Sequence, residues 1–386
     1  MPEGWTIADE FTGREGTGIE TDPVRTSGVR RSGDRRLARW LVRWSGRPTL
    51  FAIAAINSIT GIAIAAIIGP HGFGADAATF RQCAQSAAQG VDCSPLYPPL
   101  AALAFRPLTW VDVTTANVAM SLIGMAILLV GARLETRGQG PADRVLVLVA
   151  AATFAPVVCE LIFGQVTLVI AAAIYPVARR ADGFQNGIPL GIALALAPKP
   201  LLLPVLFWML VWRRHALVAT LATAVGLTCL GVVLAGPDQY QRWVSVITTA
   251  VSQSAAGTFV LARSGNYSLW PLTPLTLFVA AAVGAATVWT IMRDPSRGLV
   301  AAILAGLLLA PYTGLYAASI LLLAVRPALG FAPRATRVLA LTANLALGLL
   351  FGLGAWGVAG VAACLPVPRG WRARSTGLAA PRAPSA

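Results

Sequence analysis

The sequence has little charge and almost no lysine. Charged residues make up 12% of its 386 residues, against about 25% in an ordinary soluble domain. The hydrophobic fraction is 56% and the mean hydropathy is +0.69. A soluble fold of this size could not bury so much apolar surface, so the composition excludes a soluble globular protein.

Several chemical signatures are also missing. The chain contains no HExxH, CxxC, GxSxG or P-loop motif, which would indicate metal, thiol, serine-nucleophile or nucleotide chemistry. Its two histidines, His71 and His215, are expected on opposite sides of a membrane, so we predict no protein-bound metal and no cofactor. The net charge of +14 comes from arginines beside apolar segments. Without a basic groove or a known module, no nucleic-acid partner is expected.

Long apolar runs fill most of the chain between Phe51 and Cys364. A helix of about 17–25 apolar residues can cross a hydrocarbon core of about 30 Å. Because the runs do not alternate, they predict an all-α, polytopic transmembrane helix bundle of about nine to twelve spans and exclude a barrel. Spans are expected near residues 49–69, 113–132, 145–162, 166–178, 187–198, 200–212, 216–235, 271–291, 299–310 and 314–325, with one or two more in 338–364.

Arginine-rich loops set the expected orientation. Residues 1–48 are predicted to be a disordered basic cytoplasmic tail, 49–366 the transmembrane domain, and 367–386 a disordered C-terminal tail. The positive-inside rule then sends the first helix outward. The outward turns carry the unusual polar residues, which are Asp76, Glu160, Gln165, Lys199, the 236–270 loop with Arg242, Arg263 and Asn266, and Tyr312. This predicts one polar pocket at the extracytoplasmic face of a multi-pass cell-membrane protein.

Two charged residues of this pocket could take part in chemistry. Asp76 is expected beside a short amphipathic helix, where a carboxylate near hydrocarbon could act as a general base on a hydroxyl. It could equally be a helix cap or a solvated loop residue. Lys199 is the only lysine and lies between Pro198 and Pro200. It could hold a phosphate as a point charge, or it could be a snorkelling lysine that marks a helix end.

The remaining polar residues each have two possible roles. Glu160 and Gln165 flank a glycine-marked helix break, where they could bind sugar hydroxyls or make a structural interhelical hydrogen bond. Tyr97 and the two prolines after it could open a short tilted or re-entrant helix. Cys83 and Cys93 share the first outer loop. They form either a disulfide or two free thiols.

Six motifs follow one another in a fixed order along most of the chain after Pro48. They are Asp76, Tyr97–Pro107, Phe163–Val166, Gly191–Pro200, Gly265–Leu269 and Ala310–Tyr312. This order resembles glycosyltransferase family 87, bacterial multi-spanning enzymes of the GT-C type that use polyprenyl-phosphate mannose. The chain departs from the family pattern at Thr167, where the pattern has asparagine, and after Pro311, where many relatives have a histidine and this chain has tyrosines.

The resemblance implies a membrane glycosyltransferase that moves a hexose, mannose in the family, from a polyprenyl-phosphate sugar to a lipid or glycan acceptor with inversion. Asp76 would be the general base, and Lys199 with Arg81 and Arg263 would bind the donor phosphate. Sugar or acceptor would be bound by Tyr97, Glu160, Gln165, Asn266 and Tyr312. The partners would be the donor, the acceptor and membrane lipids.

Two other classes of function share some of these features. A multi-spanning transporter or lipid flippase would also have broken helices and intramembrane charges. Against it, the sequence shows no inverted repeat, and its polar residues are expected at one face instead of the midplane. A purely structural assembly partner would need neither Asp76 nor Lys199.

Overall fold

A computed structural model gives the architecture of the chain. It describes residues 51, 54–55, 57–67, 69, 72–88, 97–258, 268–270, 273–311 and 313–324, all within the unit Arg47–Ala386. Regular structure in these ranges is helical and includes no strand. The all-α prediction is therefore confirmed. The predicted tails and the 338–364 segment lie outside the described residues.

The helices follow one another with short connections. In chain order they are α1 (Asn57–Ile67), α2 (Ala75–Ala88), α3 (Pro99–Ala104), α4 (Val113–Glu135), α5 (Pro141–Ala152), α6 (Ala155–Phe163), α7 (Thr167–Arg179), α8 (Phe184–Leu196), α9 (Leu203–Trp212), α10 (Arg214–Ala235), α11 (Pro237–Ala255), α12 (Pro274–Arg293) and α13 (Pro295–Leu309). Short 3₁₀ helices cover Arg106–Trp110, Pro200–Leu202 and Leu315–Leu321.

Helices α4, α10 and α12 are each long and apolar enough to cross a membrane. Together α5 and α6 would make a fourth candidate, bent by 62° at the break between them. Five further apolar segments of 10–17 residues are α1, α7, α8, Pro200–Trp212 and α13. The chain is a polytopic helical membrane protein, and the total number of spans stays a prediction.

The span expected at 145–162 is bent in the structure, at the break between α5 and α6. Thr153 caps the end of α5, and its hydroxyl donates to the Val149 carbonyl. Pro156 then lies in the first turn of α6. A proline is tolerated there but cannot continue a preceding helix, because its ring lacks an N–H and clashes with the earlier turn. The bend turns the end of α6 toward the polar cluster described below.

The expected 236–270 loop is also wrong, because it contains the 19-residue helix α11. Gly236, at φ 90°, ends α10, and Pro237 occupies the first turn of α11. Large apolar residues lie at Tyr240, Trp243, Val244 and Ile247, which is the spacing of one helical face. Most of the other positions are polar, and α11 is not among the described helices that are apolar enough to be candidate spans. Arg242 lies within it, whereas Arg263 and Asn266 lie outside the described residues.

The two ends of the helices carry different polar groups. Helix α7 runs toward Arg179, α8 returns, and α9 runs back to Arg213. The arginine ends meet, since Arg213 Nε donates to the Val177 carbonyl at 3.2 Å and Arg179 pairs with Glu135 at 2.7 Å. The opposite ends of the same helices are the turns that precede α7 and follow α8.

Helix α13 forms the centre of the packing, with every residue from Gly298 to Leu308 buried. Two tryptophans of α9 fix the junction of α12 and α13: Trp208 Nε1 donates to the Pro295 carbonyl of α13 at 2.7 Å, and Trp212 Nε1 donates to the Ile291 carbonyl of α12 at 2.6 Å. At its other end, the α13 backbone at Gly306 lies so close to the Leu201 carbonyl that a side chain there would overlap it. The turn that carries Lys199 is therefore packed directly on the central helix.

Candidate active site

Asp76 lies in the first turn of α2 and is half-buried. The turn is fixed by Gly74, at φ 71°, whose N–H donates to the Ile162 carbonyl at 2.8 Å. A helix N-terminus favours a carboxylate. Burial raises the pKa of Asp76, while a hydrogen bond from Gln165 and the positive charge of Lys199 oppose that rise. A carboxylate with a raised pKa is better matched to accept a proton at neutral pH.

Gln165 is brought to Asp76 by the sharp end of α6. Gly164 has φ 74° and ψ 47°, a left-handed conformation that suits glycine. A Cβ there would overlap the amide oxygen of Asn117 and lie 3.0 Å from the Ala77 Cβ. The next residue, Gln165, is buried, hydrogen-bonds Asp76 and accepts from the Tyr97 hydroxyl at 3.4 Å. The glycine therefore allows α6 to deliver an amide to the carboxylate of α2.

Tyr97 is held beside Asp76 by aromatic packing. The Phe80 and Tyr97 rings meet edge-to-face with centroids 5.0 Å apart, and Phe105 stacks on Phe80 at 4.5 Å. Phe80 is four residues after Asp76, so both lie on one face of α2. The tyrosine and the aspartate thus share one side of this helix.

Lys199 enters the cluster from the turn after α8. Pro198 and Pro200 interrupt the helix on either side of it, and its side chain is half-buried. Its Nζ donates to Thr167 Oγ1 at 3.1 Å and lies 5.3 Å from the centroid of the Tyr316 ring. The ring face adds a cation–π contact. The positive charge of Lys199 acts on both Asp76 and Glu160.

Glu160 is buried at 2% exposure. One of its carboxylate oxygens accepts from the Leu168 backbone N–H, and the other accepts from the Ser319 hydroxyl. Each oxygen therefore has a protein donor. Glu160 joins α6 to the first turn of α7 and to the 3₁₀ helix Leu315–Leu321.

The structure brings five of the predicted site residues into one cluster, which we call the polar cluster: Asp76, Tyr97, Glu160, Gln165 and Lys199. They come from four separate parts of the chain. Within this cluster Asp76, Tyr97 and Lys199 are half-buried, while Gln165 and Glu160 are buried. The half-buried groups can meet a ligand, and the buried groups support them.

Other predicted residues lie elsewhere. Arg81 Nε donates to the Val111 carbonyl at 2.9 Å, which joins α2 to the segment before α4. Cys83 is disulfide-bonded, but its predicted partner Cys93 lies outside the described residues, so that pairing stays a prediction. Arg263, Asn266 and Tyr312 are also outside the described residues. In the described ranges, no group of three His, Cys, Asp or Glu side chains could hold a metal ion.

Three residues of the site are not among those that the sequence predicts, namely Thr167, Tyr316 and Ser319. The sequence marks Thr167 only as a departure from the family pattern. Tyr316 and Ser319 are three residues apart in a 3₁₀ helix, where such residues lie on the same side. That spacing could have identified them only if the 3₁₀ conformation had been known.

Comparisons with known proteins point to one family. The profile of glycosyltransferase family 87 matches residues 96–313, a range that begins after Asp76 and ends before Tyr316. Two relatives, from Mycolicibacterium smegmatis and Mycobacterium tuberculosis, are both described as a polyprenol-phosphate-mannose-dependent alpha-(1-2)-phosphatidylinositol mannoside mannosyltransferase.

The first relative is 31% identical over 235 residues, which cover 53% of this chain and 52% of the relative. The second is 26% identical over 260 residues, covering 58% of each. The chain thus spans little more than half the length of the curated relatives that it matches. No solved structure matches it. Since the family profile extends over more than half of its residues, the chain belongs to glycosyltransferase family 87.

Proposed function

We propose that the chain is a membrane glycosyltransferase that moves a hexose, with mannose the first candidate, from a polyprenyl-phosphate sugar to a lipid or glycan acceptor. The observation that carries the proposal is the polar cluster itself. The site is built from turns of several helices and holds a half-buried carboxylate, Asp76, and a half-buried ammonium, Lys199. These two groups interact electrostatically. One group can accept a proton and the other can stabilise a leaving phosphate.

The reaction needs one bond to form and one to break. Asp76 takes the proton of the acceptor hydroxyl as its oxygen attacks the anomeric carbon. The bond between that carbon and the phosphate oxygen breaks, and polyprenyl phosphate leaves with an additional negative charge. Attack opposite the leaving group inverts the anomeric configuration. Lys199 stabilises the charge that develops on the phosphate, with Arg263 proposed as a further phosphate ligand.

The proposed face is extracytoplasmic in the cell membrane. Arginine-rich turns of α7 and α9 meet at one end of these helices, and the positive-inside rule puts that end in the cytoplasm. The turns carrying Gln165 and Lys199 are at the other ends of α7 and α8. Polyprenyl chains would lie in the surrounding lipid, in contact with the exposed apolar side chains of the helices.

The test is a transfer assay with the full chain in nanodiscs. The protein is incubated with radiolabelled polyprenyl-phosphate mannose and a lipid extract that contains phosphatidylinositol mannosides, the acceptor named for the two relatives. The key variant is Asp76→Asn. Its matched control is Asp112→Asn, the same change at the exposed N-cap of α4, where asparagine caps nearly as well as aspartate.

Label moving to a new lipid product in wild type and Asp112→Asn, but not in Asp76→Asn, supports the transferase and its base. Full transfer by Asp76→Asn would remove Asp76 from that role. Movement of labelled lipid across the bilayer of proteoliposomes, without any new glycosidic bond, would overturn the proposal in favour of a flippase. An arabinose donor run in parallel determines which sugar is used.

A further inference from the structure

We infer that Thr167 is a positioning residue for Lys199, and that Glu160 and Ser319 hold Thr167 in place instead of contacting the sugar. The inference rests on the proposed function, because it concerns how the donor phosphate is bound. It also favours, for Glu160, the structural hydrogen-bonding role that the sequence left open over the sugar-binding role that the family resemblance implies.

Thr167 is the first residue of α7 and is fully buried. Its hydroxyl oxygen accepts the hydrogen bond of Lys199 Nζ at 3.1 Å. A fully buried hydroxyl cannot touch a substrate in the open part of the site. Its effect on binding must therefore pass through the ammonium that it holds.

Lysine needs such a partner more than a shorter side chain would. Its charge sits at the end of a flexible four-carbon stem, so an unheld ammonium would sample many positions. Thr167 on one side and the face of the Tyr316 ring on the other restrict that motion. A lysine ammonium has three N–H donors, and Thr167 accepts a hydrogen bond from one of them. The ammonium can therefore also bind an anion.

Thr167 is held in turn by a buried chain of hydrogen bonds. The neighbouring Leu168 N–H donates to Glu160, and the hydroxyl of Ser319 donates to the other oxygen of the same carboxylate. Ser319 is also fully buried. The chain runs from the 3₁₀ helix Leu315–Leu321 through Glu160 to the first turn of α7, and from there to Lys199. Because Glu160 is buried and both of its oxygens accept from protein donors, it supports the turn and is shielded from a sugar bound in the half-buried part of the site.

The experiment measures equilibrium binding of polyprenyl phosphate, the leaving group of the reaction, to the full chain in nanodiscs. Thr167→Val removes the hydroxyl and keeps the branched shape, Thr167→Ala removes it without adding bulk, and Thr167→Ser keeps the oxygen. The matched control is Thr290→Val, since Thr290 is equally buried and its hydroxyl donates to the Ala286 carbonyl of its own helix.

Loss of a hydrogen bond to a charged group should weaken binding about tenfold in Thr167→Val and Thr167→Ala. Thr167→Ser and Thr290→Val should bind within about twofold of wild type, which is within the scatter expected of neutral substitutions. In transfer assays the same two variants should raise the donor KM and lower kcat, because Lys199 both binds the donor phosphate and stabilises it as it leaves. Ser319→Ala should weaken binding in the same direction.

The role of Lys199 as intermediary is tested by a double-mutant cycle. If Thr167 acts through Lys199, adding Thr167→Val to Lys199→Gln should cause no further loss of binding. Independent losses that add would overturn the inference, as would wild-type affinity in Thr167→Val and Thr167→Ala, or an equal loss in Thr290→Val. In each of these cases transfer by the wild type would leave the proposed function standing. A wild type that neither binds polyprenyl phosphate nor transfers sugar would overturn both.

Discussion

Replacing Gly164 with alanine should move Gln165, which follows α6, away from Asp76 on α2. Gly164 ends α6 at φ 74°, a conformation that costs an L-residue about 1–2 kcal/mol. The added Cβ would also overlap the Asn117 amide oxygen and lie 3.0 Å from the Ala77 Cβ. Overpacking of this kind typically costs about 1–3 kcal/mol. The free energy of unfolding should therefore fall by about 2–5 kcal/mol in Gly164→Ala.

A second glycine isolates the conformational part of this cost. Gly138 has φ 81° and is exposed, and a Cβ there would meet nothing within 4 Å. Gly138→Ala should lose only about 1–2 kcal/mol. Both variants are measured by reversible unfolding in mixed SDS and detergent micelles. The difference between them is the packing cost at the junction of α2, α4 and α6.

Two further measurements test whether Gly164 presses against Asn117 and positions Gln165. Adding Asn117→Ala to Gly164→Ala should recover part of the packing cost, because neither amide atom of Asn117 has a hydrogen-bond partner among the described residues. Transfer activity should fall in Gly164→Ala and stay near wild type in Gly138→Ala, since only the first change displaces Gln165 from Asp76. Equal losses of stability in the two alanine variants would show that α6 does not press on α2 as described.

Two shorter predictions concern the same cluster. Gly306→Ala would place a Cβ against the Leu201 carbonyl and move the turn after Lys199, so transfer should fall, whereas Gly284→Ala, with open space around it, should transfer normally in the same assay. Burial raises the pKa of Asp76, and a base must be deprotonated to act. The rate of transfer should therefore rise with pH through a value above about 3.9, the ordinary value for aspartate, and this rising limb should be absent from any residual activity of Asp76→Asn.

The fold class could be predicted from the sequence because apolar runs dictate helices in lipid. A single lysine between two prolines marks an interrupted helix whatever its neighbours are, so Lys199 stands out from local features alone. The base role expected of Asp76 comes from its place in the family pattern. The structure brings the charges of these two residues close enough to interact.

Other features could not be read from the sequence because they arise from contacts between distant segments. Glu160 and Ser319 are 159 positions apart, and the local sequence around either residue does not predict a contact with the other. Helix α11 was missed for a different reason, since a half-polar helix fits neither the pattern of a span nor that of a loop. The buried position of Thr167 likewise depends on how α7 packs, which a motif does not show.

Charge movement during the reaction gives Lys199 a role in the chemical step as well as in binding. When ionised, Asp76, Glu160 and Lys199 sum to one negative charge, and a sugar phosphodiester brings another. As Asp76 takes the acceptor proton, its charge is neutralised while the leaving phosphate gains one. Lys199 then faces a growing phosphate charge with less competition from Asp76, so its stabilisation is greatest late in the reaction. Lys199→Gln should therefore lower kcat by about a hundredfold or more and also raise the donor KM. A rise in KM with kcat unchanged would mean that the ammonium binds the ground state and the transition state equally well, and this account of the charge movement would be wrong.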